Sequence, residues 1–257
     1  MKLLAIITDW HDDPLYSSAI KNILKTKCED ADTVIFDNLP QHNLLSASFV
    51  ANEIINELPK NSVIVLGFNS SADNIKNFYL FETEKYFILA PDNGVISLID
   101  IDVKNSYIIG TQQSSFAEKD ILIPAACELI KNHLDISSLP TDNQYKKLTP
   151  VRVIISENMI KGNVLYIDSY GNAITNITKE IFDKYSKGRN YVVSVKYRAN
   201  KIFRIRNNYI AEPGEFIALF NSFGYLEISQ VKGDISSLLK IDNRSQVIIE
   251  FSDPEFD

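Results

Sequence analysis

With only three histidines and two cysteines in 257 residues, several chemistries are closed off at once. Zinc sites are built from closely spaced Cys and His, and no such spacing occurs here. Cys28 and Cys127 lie far apart outside any CxxC motif, so the sequence indicates no disulfide framework and suits a reducing compartment. Nor is there a basic excess, since 26 Lys and Arg stand against 33 Asp and Glu, a formal net charge of −7. That balance argues against a nucleic-acid or anionic-membrane surface. No apolar run approaches the roughly 18 residues a membrane span requires. The opening MKLLAIITDW is broken by Thr8 and Asp9 and reads as a buried first strand instead of a leader. A soluble cytoplasmic protein is the expectation.

What is present is a globular composition, 45% hydrophobic and 23% charged, long enough for one large or two ordinary domains. Strand-like runs at 3–7, 33–36, 62–66, 78–82, 86–90, 95–101 and 106–109 are interspersed with helical periodicity at about 15–25, 44–58 and 119–133. That alternation predicts an α/β domain with a largely parallel sheet over residues 1–134. Pro91-Asp92-Asn93-Gly94 carries the Asn-Gly pair of a hairpin turn. Residues 135–150 are polar and aperiodic and read as a linker. From 151 to 257 the pattern becomes strands at 151–155, 163–168, 191–197, 201–206, 216–220, 225–231 and 246–251, with short helical pieces near 178–186 and 233–240. A smaller, all-β, barrel-like C-terminal domain follows from it.

The densest functional stretch is Gly162 to Ile177, GNVLYIDSYGNAITNI. After a strand, Asp168, Tyr170 and Asn172 put a carboxylate, an aromatic face and an amide on one loop, a kit suited to a polar planar ligand. The same residues also suit a hairpin or strand-to-helix turn held by Asx bonds. Asp9 follows the first strand, where open α/β sheets bind ligands. Asp13 before Pro14 serves either as a ligand contact or as a helix N-cap. His42 stands alone and reads as a surface or capping residue.

IDSYGNAITNI resembles the I-D-x-F-G-N-x-x-T-N-I segment of the S-adenosyl-L-methionine hydroxide adenosyltransferase family, whose relatives include fluorinases and chlorinases. ITDWHDDP at 7–14, APDNGVISLI at 90–99, SSFAEKDILIPAA at 114–126 and NSFGYLEIS at 221–229 resemble it too, in the same order. The resemblance implies a ribose grip at Asp9, a methionine-end contact at Asp168, an adenine contact at Asn172 and a further contribution at Ser222. Asp13, Asn93 and Tyr170 complete the substrate-binding set. S-adenosyl-L-methionine (SAM) would be substrate or ligand, with no cofactor and no metal. The resemblance also implies a homotrimer with the site between subunits.

The same resemblance exposes a departure. Family hydrolases activate water with an Asp, an Arg and a His, and these positions hold Asn69, Lys76 and Ala117 here. In the first motif His11 replaces a glycine. Asn69 can orient water but cannot take its proton, and Lys76 keeps charge without the planar fork of Arg. Glu118, where the family has glycine, admits two readings: a base for the attacking water, or a solvated cap for the helix beginning near Lys119. Asn69, Lys76 and Glu118 are therefore the catalytic candidates. The functional readings are a SAM hydrolase with altered machinery, a catalytically silent binder of SAM or adenosine, and a structural remnant.

Overall fold

A computed structural model describes residues 2–11, 13–29, 31–70, 75–111, 114–196 and 200–252. Asp12, the end of the loop expected to run through Asn74, and Tyr197 at the end of an expected strand lie outside the described residues. The chain divides into two compact units, Met1–Pro150 and Val151–Asp257.

The first unit begins with β1 (Leu3–Thr8), α1 (Pro14–Lys27), β2 (Asp32–Phe36), α2 (Leu44–Asn56) and β3 (Val63–Gly67). It continues with β4 (Phe78–Thr83), β5 (Phe87–Pro91), β6 (Val103–Gly110) and α3 (Ile123–Ile130). The sheet order is β2-β1-β3-β5-β4-β6, parallel from β2 through β5 and antiparallel at the β4 and β6 edge. Strand side chains alternate between faces. Leu4, Ile6, Val63 and Val65 face Ile20 of α1 and Ile123 of α3, whereas Ala5, Ile7, Ile64 and Leu66 face Ala47, Ala51 and Ile55 of α2. Because β2 and β3 flank β1, with α1 and α2 on opposite faces, the chain reverses its winding between β1 and β3. A crevice outside the carboxyl ends of these two strands is where such sheets take ligands.

Four expectations for this unit need correction. Residues 95–101 are not a strand: Asn93 Oδ1 accepts from Val95 N at 3.0 Å, Gly94 takes φ +93°, and Val95–Leu98 form a 3₁₀ turn. The Asn-Gly pair turns the chain into that helix instead of closing a hairpin. The helix expected from Lys119 begins as a π-helical turn, Glu118–Leu122, before α3. Pro124 lacks the N–H that would continue regular pairing there. Cys28 and Cys127 form a disulfide, with Cα atoms 5.2 Å apart across 99 residues of sequence. They meet because the C-terminal end of α1 and α3 pack on the same sheet face, and the ground for expecting a reducing compartment is thereby removed. Finally, segment 135–150 lies against the first unit. Tyr79 donates to Asp142 at 2.8 Å, Leu148 N to Ser97 Oγ at 2.8 Å, and the Tyr145 ring packs edge-on to Phe81.

The second unit contains β7 (Ile154–Ser156), β8 (Met159–Ile167), β9 (Ala173–Thr178), α4 (Lys179–Ser186), β10 (Asn190–Val195), β11 (Asn200–Ile202) and β12 (Ile205–Arg206). After them come β13 (Phe216–Phe220), β14 (Tyr225–Gln230), α5 (Ile235–Leu239) and β15 (Gln246–Ser252). Its sheet runs β11-β10-β15-β8-β9-β14-β13-β12, with β7 beside β8, and curls into a barrel-like form. Ile160, Val164, Ile177, Val193, Ile228, Val247 and Ile249 alternate inward to fill it. Among the described residues, no helix of either unit is long and apolar enough to cross a membrane.

Candidate functional site

The carboxyl ends of β1 and β3 meet in register at Thr8 and Gly67, and Thr8 Oγ1 donates to the Gly67 carbonyl at 3.1 Å. Asp9 and Trp10 leave the first strand and Asn69 and Ser70 the second, so both loops open onto one cleft. Its volume is about 470 Å³, and Asp9, Trp10, Asp13, Tyr16, Gln41, His42, Asn69, Ser70, Ser115, Phe116 and Glu118 line it.

One wall is aromatic. The Phe116 ring meets Trp10 and Tyr16 edge-on, at centroid separations of 5.6 and 5.0 Å. Edge-to-face packing fixes ring orientation and leaves ring faces for a ligand. Three residues in the bordering loops, His11, His42 and Asn69, have φ between +51° and +56°. Non-glycine residues seldom adopt this region, and Asn and His tolerate it better than most. His11 stands at φ +56°, a conformation in which glycine carries no steric penalty. The loops are tied by further bonds: the His11 ring Nε2 lies 2.9 Å from the Leu39 carbonyl oxygen, and Gln41 Nε2 donates to the Asp9 carbonyl at 2.8 Å.

Carboxylates line the cleft as well. Asp9 is half-buried, and Asn69 N donates to its Oδ2 at 3.3 Å. Burial pushes its carboxyl above the usual aspartate value, with the Asn69 bond opposing. Glu118 is 3% exposed, which overturns the solvated-cap reading. Its Oε1 accepts from Ser70 Oγ at 2.7 Å. Gly67 makes the room: a Cβ there would stand 2.4 Å from Glu118 Cγ. Burial, with the Asp9 charge adding to it, pushes the Glu118 carboxyl up to about 7, although Ser70 and Trp10 donate hydrogen bonds that work the other way.

Among the sequence-derived candidates of the first unit, Asp9, Asp13, Asn69 and Glu118 come together in this cleft. Asp13 does two jobs, since its Oδ1 also caps α1 by accepting from Leu15 N at 2.8 Å. Asn93 is not brought in. Its amide is spent on the Phe68 carbonyl at 2.9 Å and on Val95 N, holding the base of the loop after β3. Lys76 is exposed and does not line the cleft, and Ala117 is fully buried. Sequence reasoning missed Tyr16, Gln41, Ser70, Ser115 and Phe116 as lining residues, and took His42 for a surface or capping residue. The one usable signal was position: Ser70 immediately follows Asn69, already suspected.

In the second unit, Asp168 and Asn172 close the loop between β8 and β9. Asp168 Oδ1 accepts from Tyr170 N and Asn172 N, both at 2.9 Å, and Oδ2 accepts from Asn172 Nδ2 at 3.0 Å. Tyr170 is 78% exposed on the same loop. Ser222 is exposed in the turn between β13 and β14. Beside it Asn221 Nδ2 donates at 3.3 Å to Glu227, a buried carboxylate that also accepts from Tyr209 and Ser229 hydroxyls at 2.7 and 2.8 Å.

An α/β unit with an acidic and aromatic cleft at its switch point, followed by a barrel-like unit rich in loop carboxylates and amides, defines a small-molecule-binding class of protein. Similarity to known proteins narrows the class further. The sequence pattern of the SAM hydroxide adenosyltransferase N-terminal domain matches residues 4–139, and that of the C-terminal domain matches residues 162–248. The chain belongs to the SAM hydroxide adenosyltransferase family. It is 28% identical to the (R)-S-adenosyl-L-methionine hydrolase of Methanocaldococcus jannaschii over 97% of this chain and 96% of that protein. Two solved structures share the fold. An uncharacterized conserved protein from Thermotoga maritima superposes with a TM-score of 0.82 at 22% identity, over 96% of this chain and 99% of its own. A conserved hypothetical protein from Thermus thermophilus gives 0.77 at 19% identity, over 98% and 100%.

Proposed function

We propose that the chain hydrolyses S-adenosyl-L-methionine to adenosine and L-methionine by in-line attack of water at C5′. The observation that carries this reading is the cleft at the ends of β1 and β3, lined by a half-buried and a buried carboxylate together with the rings of Trp10, Tyr16 and Phe116. A sulfonium is a cation, and both suit it: carboxylates attract it through a low-dielectric cleft, and aromatic faces add cation–π attraction. Methionine leaves as a neutral thioether, so the reaction needs a held water and little acid assistance. In this reading Asp9 accepts from the ribose hydroxyls, Asp168 and Asn172 serve the methionine and adenine ends, and Ser222 contributes to the same ligand. Glu118 would repel a halide in that position, which argues against fluorinase or chlorinase chemistry.

A second reading, a silent binder of SAM or adenosine, draws on Asn69 and Ala117. Neither can accept a proton, and Lys76 does not line the cleft. One experiment separates the two. The purified protein is denatured and any released nucleoside identified by mass spectrometry; native protein is then incubated with each sulfonium epimer of SAM, and adenosine and methionine are quantified. The relative's name makes the (R) epimer the first to try. Equimolar adenosine and methionine support hydrolysis, whereas tight ligand without turnover supports the silent binder. The homotrimer belongs to the same proposal, and sedimentation giving a monomer would remove it.

A further inference from the structure

A carboxylate buried in a ligand cleft costs the fold free energy, and Glu118 stays raised in spite of its donors. At 3% exposure it receives Ser70 Oγ at 2.7 Å on Oε1 and hydrogen bonds from its own backbone N–H and the Trp10 side chain, while Asp9 adds a like charge from the neighbouring loop. Nothing in its position is accidental. Gly67 is the one residue type that leaves room for it, and Glu118 opens the π-helical turn Glu118–Leu122 as a buried residue. The other groups lining the cleft do not replace it. The Asn69 amide and the Ser70 hydroxyl are too weakly basic to take a proton, Asp13 is exposed and engaged as a cap, and Tyr16 lies in the aromatic wall. His42, exposed, reaches the cleft from the loop after β2, where its charge acts on Asp9.

Resting on the hydrolase reading above, we propose that Glu118, held by Ser70, is the general base that this chain uses in place of the family's Asp, Arg and His. Water bound between Glu118 and C5′ attacks the carbon. The new C–O bond forms as the C5′–S bond breaks, its electron pair stays on the methionine sulfur, and the water proton passes to a Glu118 oxygen. Adenosine, methionine and one proton account for all atoms and charge. A carboxyl near neutrality suits this step, because a base works best when its own affinity for the proton approaches that of the medium. Burial puts it there, and the bond from Ser70 keeps part of it ionised at pH 7. Asp9, facing the same space, is occupied by the ribose in this assignment. Ser70 is a positioning residue.

The test is Glu118→Gln, which keeps the shape and leaves Ser70 a carbonyl to bond. Wild type should show kcat/KM rising with pH to a plateau through an acid limb near 7. The variant should bind adenosine within about threefold of wild type by calorimetry, yet lose roughly 10²-fold or more in kcat, with that limb abolished. Ser70→Ala, which removes the donor favouring the charged carboxylate, should instead retain turnover at high pH with the limb displaced upward. An active Glu118→Gln with the wild-type profile overturns the base role while leaving the hydrolase reading intact. So does a Ser70→Ala profile with an unmoved limb. A wild type that binds adenosine but forms none from either epimer overturns the hydrolase reading, and the base role with it.

Discussion

Asp234 in the second unit and Glu118 in the first are both acidic residues at the start of a helical turn, and they are treated oppositely. Asp234 is exposed and saturated with donors: Ser237 N at 2.9 Å, Ser236 Oγ at 2.7 Å and Ser237 Oγ at 2.6 Å. Those bonds hold its carboxyl down to about 2. Glu118 is buried, and that burial outweighs the bonds from Ser70, Trp10 and its own backbone and pushes it up to about 7. Donors that stabilise a charge also satisfy it, so Asp234 is used up by its own fold. Glu118 is left wanting a proton or a ligand. Perturbed carboxyls of this second kind concentrate at functional sites. Asp168 likewise spends both carboxylate oxygens on hydrogen bonds within its own loop.

The first unit carries a cross-link that sharpens the contrast. Reducing Cys28–Cys127 releases a loop of about 100 residues and should lower the stability of that unit by about 4–5 kcal/mol on the chain-entropy account. The single tryptophan, Trp10, lies in the cleft wall and reports this unit alone. Its fluorescence transition in urea should move to lower denaturant on reduction, and an unchanged midpoint would mean that the bond is not formed.

Glu118 should also act on stability in a pH-dependent way. Its folded value, about 7, lies above the 4.5 of the free side chain. Below 4.5 both states hold the proton and nothing is lost. Between these values the unfolded chain releases the proton while the folded one keeps it, so stability falls as pH rises, then levels off above 7. Glu118→Gln should therefore stabilise the protein by roughly 3 kcal/mol at about pH 8 and by little at about pH 4, as urea unfolding would measure. A variant more stable and less active would mark the residue as one held for function at the expense of the fold. Equal effects at the two pH values would break the contrast with Asp234.

These expectations show what the sequence could and could not disclose. Hydrophobic alternation announced the first sheet and the change of architecture after Pro150, because strand and helix periods are local. The position of Asp9 just after an apolar strand run was legible, and it lies in the lining of the cleft. What failed was everything requiring distance in space. Cys28 and Cys127 are separated by 99 residues, and the Ser70 bond to Glu118 by 48. Glu118 itself sits in a polar stretch, SSFAEKD, that reads as solvated; only the meeting of β3 with the π-helical turn buries it. Strand β9 was hidden because its polar positions, Thr175 and Asn176, resemble a loop. Thr175 is fully buried and donates to the Leu226 carbonyl at 2.9 Å.

Asp9 stands between the two extremes, half-buried with one backbone donor. Asp9→Ala should weaken adenosine by roughly 1.5–3 kcal/mol, about 10- to 150-fold, as expected for a charge-assisted hydrogen bond. Calorimetry on the variant checks it, and unchanged affinity would take Asp9 out of the ligand's reach.

The smallest effect tests whether Asp234 is bound to its own fold as firmly as its donors suggest. Gly171 has φ +80°, and a Cβ placed on it would stand 2.0 Å from Asp234 Oδ1. Gly171→Ala therefore has two consequences. The backbone conformation alone costs roughly 1–2 kcal/mol for a side chain that disfavours φ > 0. The collision then forces Asp234 to turn away from Ser236 and Ser237, so its cap on α5 is lost as well. In an Asp234→Ala background the collision with the carboxylate is gone, and the conformational part survives with only a 2.9 Å approach to the Cβ of residue 234 beside it. Thermal unfolding of the four proteins in this cycle measures the coupling, as contacting residues are not additive. A Gly171→Ala cost that is the same in both backgrounds would show that Asp234 can move without loss. In that case its depressed carboxyl would reflect a flexible cluster of hydroxyls, and the distinction from Glu118 would rest on burial alone.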